Sequence, residues 1–337
     1  VKRRAPRILI VKLSSLGDVV HAMAAVQDIR RALPKAHIDW LVERSFAPLV
    51  ARCQGVETII PCDLRRWRKR PFARQTRQEW AKFKAALRAQ AYDAVIDLQG
   101  LTKSAVLGRV ARTAPKGLRY GLANATEGSS YEAPARWLVD RPIRLEPHVH
   151  VVERSRLLCA AALGYTVEGP AHFGLQASGA GVTVAANPFV TRKPLVALVH
   201  GTSRADKEWP LAFWVTLAQR LNHEGFGVAL AHGNTAEKAR SEKIAQQVEA
   251  AWVWPSMPLD ALADTMARCA GVIGVDSGLS HIAVALGLPH VQIYNFDTAW
   301  RTGVSNARQV SVFASPYPDV ETVWQAWQGL STPVLSR

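Results

Sequence analysis

The feature that most constrains this chain is an alternation, carried through twice, of short apolar runs and helical patterns. In the first half "RILIVKL" reads as a buried strand, and "VVHAMAAVQDIRRAL" as a helix ended by Pro34. "HIDWLVE", "VETIIPC" and "YDAVIDLQG" are further strands, with helical patterns over 45–53 and 78–90. "LTKSAVLGRVAR" and "VVERSRLLCAAAL" read as helices around an irregular stretch, 117–150. Residues 166–194 are rich in Gly and Pro and are expected to link two domains. The second half repeats the pattern. "PLVALVHG", "FGVALAHG", "AWVWP", "GVIGVD" and "HVQIY" are strands, each followed or preceded by a helical run. One such helix starts at Pro210 and is ended by Gly225, and "DVETVWQAWQGL" is the last.

Strand–helix repeats of this kind make parallel sheets covered by helices, so the expected fold is α/β with two Rossmann-like β/α/β domains. The length of 337 residues suits two domains. Ligands in such sheets bind beyond the carboxyl ends of the strands, which points to a central cleft faced by both domains. No GxGxxG follows a strand, and there is no GxxxxGK[ST]. Dinucleotide oxidoreductases and P-loop nucleotidases are therefore disfavoured.

The net charge of +15 is one-sided: residues 1–170 hold 30 Lys and Arg against 15 Asp and Glu, and residues 171–337 hold 12 of each. The densest block, 65–88, has ten basic residues and one acid, Glu79. A solvated helical face is one reading. An anionic partner is the other: nucleic acid, acidic headgroups or a phosphorylated substrate. No apolar run is long enough to span a bilayer, and the basic-then-apolar start reads as a buried first strand rather than a signal peptide. Four dispersed cysteines, 53, 62, 159 and 269, without CxxC or zinc spacing, read as reduced buried thiols of a cytoplasmic protein. No metal site is expected.

Four strand-to-helix turns carry candidate chemistry. In "GVIGVDSGLSHIAVALG", Asp276, Ser277 and Gly278 stand at a helix start, where free N–H groups and the helix dipole favour a diphosphate, and His281 lies one turn in. The alternative is an N-cap with a core histidine. In "HGTSRADKEWP", Thr202, Ser203 and Lys207 can hold phosphate oxygens and neutralise a leaving group, or form an ordinary loop. In "SSLGD", Asp18 would repel a diphosphate. It either caps the helix or accepts a proton from an attacking hydroxyl. The turn Ser14, Ser15, Leu16, Gly17 lets an acceptor approach, and His21 is a second polar contact or a packed residue. In "DLQGLTKSA", Gln99 and Lys103 touch the acceptor or form a plain turn.

Together these motifs, in this order and over nearly the whole chain, resemble the type I lipopolysaccharide heptosyltransferases of glycosyltransferase family 9. The resemblance implies a GT-B arrangement: an acceptor-binding domain over 1–170, a nucleotide-sugar domain over 190–318, and a helix, 319–330, crossing back to the first. It implies inverting, metal-independent transfer of L-glycero-D-manno-heptose from ADP-heptose to Kdo of Kdo-lipid A, with no cofactor beyond the donor. Asp18 matches the family's base. Lys207, Thr202, Ser203, Asp276, Ser277, Gly278 and His281 match donor positions, Met257 an adenine contact, and Glu237 is the candidate for the ribose. Arg65, Arg66, Arg68, Lys69 and Arg70 resemble the loop that meets acceptor phosphates and carboxylates. "YNFDTAWRTG" lacks the family's usual Gly-Pro-Thr. The implied protein is a monomer, peripheral on the cytoplasmic face of the bacterial inner membrane, with no nucleic-acid partner. Two other readings remain: a related transferase with another nucleotide sugar or a later core acceptor, and a non-catalytic binder of anionic glycolipid or nucleic acid.

Overall fold

The computed structural model describes residues 4–178 and 193–331. The chain divides between Gln176 and Ala177 into two compact units. Residues 179–192 of the linker expected over 166–194 lie outside the described residues.

The first unit is built on six parallel strands: β1 (Arg7–Val11), β2 (His37–Glu43), β3 (Thr58–Cys62), β4 (Ala91–Asp97), β5 (Arg112–Leu122) and β6 (Arg141–Ile143). Their order across the sheet is β3-β2-β1-β4-β5-β6. Strand β1 is central and covered on both faces, so Ile8 to Val11 are all buried and the strand reads as an unbroken apolar run.

The second unit repeats the plan with β7 (Leu195–Val199), β8 (Gly227–Leu230), β9 (Ala251–Val253), β10 (Gly271–Val275), β11 (His290–Tyr294), β12 (Ser305–Asn306) and β13 (Gln309–Phe313). The order is β12-β13-β11-β10-β7-β8-β9, parallel except for β12 against β13. In each sheet the strand order reverses beside the first strand, between β1 and β4 and between β7 and β10. That reversal is where an open α/β sheet leaves a crevice at its carboxyl edge.

Two parts of the sequence reading need correction. The stretch read as irregular, 117–150, contains the second half of β5 and all of β6. Pro115, Lys116 and Gly117 interrupt β5 and hide its strand pattern, yet a Cβ at Gly117 would lie 2.2 Å from the Tyr92 carbonyl oxygen, so the glycine permits the close pairing with β4. The tail after β11 forms β12 and β13. The last helix, Val320–Ser331, lays its apolar face on the core of the second unit. Val320, Val323, Trp324 and Trp327 cluster there with Trp209, Trp214 and the strands. A Cβ at Gly271 would lie 2.6 Å from the Trp327 ring, so the glycine makes room for the indole against β10.

The four cysteines are buried and unbridged, and burial pushes the Cys53, Cys62 and Cys269 thiols up to about 12.

Candidate active site

In the first unit, β1 runs into the turn Leu13–Ser15 and then into helix Leu16–Ala32. Leu13 N and Ser14 N both donate to the Gln99 Oε1, 3.1 Å each, which ties this turn to the one after β4. Gln99 is fixed in turn by its own N–H donating to Asp97 Oδ1 (2.9 Å), and burial lifts that carboxyl to about 6. The structure therefore gives Gln99 a scaffolding contact.

Asp18 is the third residue of the helix. Its Oδ2 accepts from Ser15 N (3.2 Å) and Ser15 Oγ (2.9 Å), so it caps the helix as one reading proposed. Its Oδ1 faces Lys12 Nζ at 3.4 Å and an Arg154 guanidinium nitrogen at 3.6 Å. The Lys12 side chain is 2% exposed and Asp18 31%. Lys12 Nζ also donates to the Leu98 carbonyl (3.1 Å), and Arg154 to Thr126 Oγ1 (3.2 Å). Burial pushes the Asp18 carboxyl up, but Lys12, His21 and Arg154 outweigh it and hold the group well below the usual carboxylate range. His21 is buried one turn along the helix, and Gly17 is buried in its first turn. Burial in turn depresses the Lys12 ammonium against the pull of Asp18.

Lys12 and Arg154 escaped the sequence reading. The signal was there: a lysine inside "ILIVKLSS", and an arginine with Val151 and Leu158 at helical spacing on either side of it.

Lys103 is exposed on the helix after β4. Arg65, Arg66, Arg68, Lys69 and Arg70 are exposed in and after the short helix Leu64–Trp67 that follows β3. Arg66 is paired with Asp63 (2.8 Å) and with Glu79. Arg65 and Lys103 both act on Glu43, at the end of β2, whose carboxyl burial pushes up and these cations draw back. The structure thus brings Arg65 and Lys103 to one carboxylate across three strand ends.

In the second unit the expected donor residues follow four adjacent strands. Thr202, Ser203 and Lys207 follow β7; Glu237 follows β8; Met257 follows β9; Asp276, Ser277, Gly278 and His281 follow β10. Lys207 Nζ lies 2.5 Å from Asp276 Oδ2, with the lysine 18% exposed and the aspartate 8%. Asp276 Oδ1 is 3.4 Å from His281 Nε2 and accepts from Thr302 Oγ1 at 3.4 Å; that hydroxyl is 3.0 Å from the Tyr294 hydroxyl. Burial pushes the Asp276 carboxyl up, but His281 and Lys207 hold it well below the usual range. Thr202 Oγ1 reaches the Asp276 carbonyl at 3.5 Å, while Ser203 is exposed.

Helix Gly278–Ala285 begins at Ser277, whose side chain caps nothing; its Oγ is buried and has no hydrogen-bond partner among the described residues. Ser280 Oγ instead donates to the Val275 carbonyl (2.6 Å), locking the turn. The first-turn N–H groups are left for an anion.

Glu237 caps its own helix start, accepting from Gly233 N (2.6 Å) and Asn234 Nδ2 (2.8 Å). A Cβ at Gly201 would lie 2.5 Å from its carboxyl carbon, so Glu237 stands directly against the Gly201–Thr202 turn. Met257 is half-buried, its sulfur 3.7 Å from Thr265 Oγ1. Asn295, missed in the sequence, pins the lysine loop by donating to the carbonyls of Asp206 (3.2 Å) and Glu208 (2.9 Å). Buried His200, its Nε2 2.7 Å from Ser241 Oγ and its basicity pushed down to about 4 by burial and Arg240, sits at the root of the same loop. Among the described residues no group of three or more His, Cys, Asp or Glu side chains is placed to hold a metal ion.

The profile of glycosyltransferase family 9 (heptosyltransferase) matches residues 80–325. The chain belongs to glycosyltransferase family 9. Lipopolysaccharide heptosyltransferase 1 of Pseudomonas aeruginosa is 36% identical over 313 residues, covering 93% of this chain and 84% of that protein. Among solved structures, the E. coli heptosyltransferase WaaC with ADP superposes with a TM-score of 0.82 at 31% identity, over 95% of this chain and 98% of that one. The same enzyme with ADP-2-deoxy-2-fluoro heptose gives 0.78 at 32% identity, with the same coverage of each chain. Both β/α/β units of this family 9 chain thus have counterparts in a GT-B heptosyltransferase.

Proposed function

We propose that this protein transfers L-glycero-D-manno-heptose from ADP-heptose to Kdo of Kdo-lipid A, with inversion, in building the lipopolysaccharide inner core. The observation that carries the donor half is the Lys207–Asp276 pair beside an uncapped helix start at the strand-order reversal of the second sheet. That arrangement offers a cation and free N–H groups to a diphosphate. The ADP bound in a solved relative supports it. Glu237, against the Gly201 turn, is the ribose contact, and Met257, past β9, the adenine contact.

In the acceptor half, Asp18 is the base. Its depressed pKa keeps it ionised at every physiological pH but makes it a weak base toward a resting hydroxyl. It takes the Kdo hydroxyl proton late, as the new C–O bond forms and the hydroxyl becomes acidic. The sugar carbon passes through an oxocarbenium-like state. The C–O bond to the diphosphate breaks, and Lys207 with the Ser277–Gly278 helix start stabilises the departing ADP. Ser14, Ser15, Gly17 and His21 shape the acceptor turn. Lys103 and the cations 65–70 meet acceptor carboxylates and phosphates. No helix among the described residues is long and apolar enough to cross a membrane. As part of the same proposal, the protein acts as a monomer peripheral to the inner membrane.

The test is incubation with ADP-heptose and a Kdo-bearing lipid A acceptor, read by product mass. One added heptose is expected, with ADP inhibiting and UDP inhibiting much less. No product, or equal inhibition by both nucleotides, would overturn the reading.

A further inference from the structure

Residues 72–88, next to the cations 65–70 assigned to the acceptor, present a surface that heptose transfer does not call on. Helix Arg74–Arg88 turns Thr76, Phe83 and Leu87 inward and leaves Trp80 half-buried against Trp67 and Phe83. Alongside that buried stripe, Arg74, Arg77, Lys84 and Arg88 are all exposed. At 100° per residue they fall within a sector of about 80° on one side of the helix. The one acid in this block, Glu79, is occupied: it accepts from the Trp67 indole (2.8 Å), from Gln75 (3.0 Å) and from Arg66. No carboxylate within the block is left to answer the stripe.

Phe72 stands between Arg70 and Arg74, 88% exposed, more than any other large hydrophobic residue described. A lone exposed apolar residue needs no explanation. One set in a single-sign field, beside an apolar groove of about 260 Å³ lined by Leu64, Trp67, Pro71 and Trp80 with Arg68 and Arg77, does. An apolar anchor flanked by cations is the composition that binds the interface of an anionic bilayer. Single-stranded nucleic acid asks instead for a row of open rings, and here Trp67 and Trp80 stack inward.

We infer that Phe72 and the Arg74–Arg77–Lys84–Arg88 stripe dock the protein on an anionic phospholipid surface, Phe72 entering between headgroups and the cations meeting lipid phosphates. The inference rests on the proposed peripheral location and names the face that makes the contact.

The test is co-sedimentation of the full chain with vesicles free of lipopolysaccharide, phosphatidylglycerol with phosphatidylethanolamine against phosphatidylcholine alone. Binding only to the anionic vesicles, lost as salt is raised, is expected. Phe72→Ser should weaken it about tenfold or more. Neutralising the stripe (R74Q/R77Q/K84Q) should weaken it on the order of a hundredfold. Both variants should turn over a short, water-soluble Kdo acceptor at the parent rate. Equal binding to phosphatidylcholine would overturn the inference. So would a Phe72→Ser variant that binds like the parent, which would mark a purely electrostatic partner such as nucleic acid. Loss of soluble-acceptor turnover in step with vesicle binding would also overturn it, by placing these residues in the acceptor site. If the parent protein binds vesicles in the expected pattern but transfers no heptose, the docking surface stands and the activity reading alone fails.

Discussion

The turn after β1 and the turns after β7 and β10 are built from the same parts and present opposite charges. Each sits at the strand-order reversal of its sheet, and each holds a lysine against an aspartate. In the first unit the lysine is sealed, Lys12 at 2% exposure, and Asp18 is the open partner at 31%. In the second the aspartate is the sealed member, Asp276 at 8%, and Lys207 the more open at 18%. Burying one partner of an ion pair is costly unless the other stays close, so in each case the buried charge fixes the exposed one. The first turn offers a carboxylate, which repels phosphate and accepts a proton. The second offers an ammonium at a helix start, which does the reverse. The lesson is that the open member of each pair, rather than the pair itself, sets the chemistry.

The comparison can be broken at several points. Asp18→Asn removes the open carboxylate while keeping its shape and is expected to lower kcat by about 10²- to 10⁴-fold, measured as heptose transfer, with ADP affinity kept. Near-parent turnover would remove Asp18 from the chemistry. Lys207→Met should lower kcat/KM by about 10²- to 10³-fold, because the leaving diphosphate loses its cation and Asp276 is left buried and unpaired.

Lys12→Met acts through pH. Lys12 is one of the cations that depress the Asp18 pKa. In the parent, activity that needs the ionised carboxylate persists as pH falls below the ordinary aspartate value and is lost on passing through the depressed folded pKa, whereas the stability it contributes is full above the ordinary value and declines from there down to the folded pKa. In the variant the acid limb of kcat/KM should move upward by about one to three pH units. An unmoved limb would mean that the pair does not control the base. The smallest effect is expected for Ser15→Ala, which removes the hydroxyl bound to Asp18 Oδ2 and should cost about 1 kcal/mol of stability by thermal denaturation.

Much of this was legible in the sequence because the motif-bearing turns follow strongly apolar central strands. Asp18, Lys207 and Asp276 could each be placed at a strand end without coordinates. The partners that decide their charge could not. Lys12 is one lysine at the end of a strand, and sequence alone does not say whether its ammonium escapes to solvent or turns back to a residue six positions on. Thr302 and Asn295 reach the donor turns from a loop whose sequence departs from the family pattern. Strand β5, second from the edge of its sheet, was missed because Pro115, Lys116 and Gly117 erase its periodicity, and β13, second from the edge of the other, because its five residues, Gln309–Phe313, are a short run with only two aliphatic residues. The two tryptophans of the last helix, Trp324 and Trp327, read in the sequence only as an amphipathic face, and the structure shows them joining the core of the second unit. Glu237 shows the opposite case: the sequence offered it only as a candidate, and the structure sets its carboxyl against the Gly201 turn, where a side chain would collide.

The most direct test of the inverted pairs is calorimetric titration of ADP into two lysine variants, Lys207→Met and Lys12→Met. The account predicts that Lys207→Met weakens ADP binding by about tenfold or more, the scale of a charge-assisted hydrogen bond, while Lys12→Met binds ADP as the parent does. Equal losses in both variants, or parent-like affinity in Lys207→Met, would contradict it.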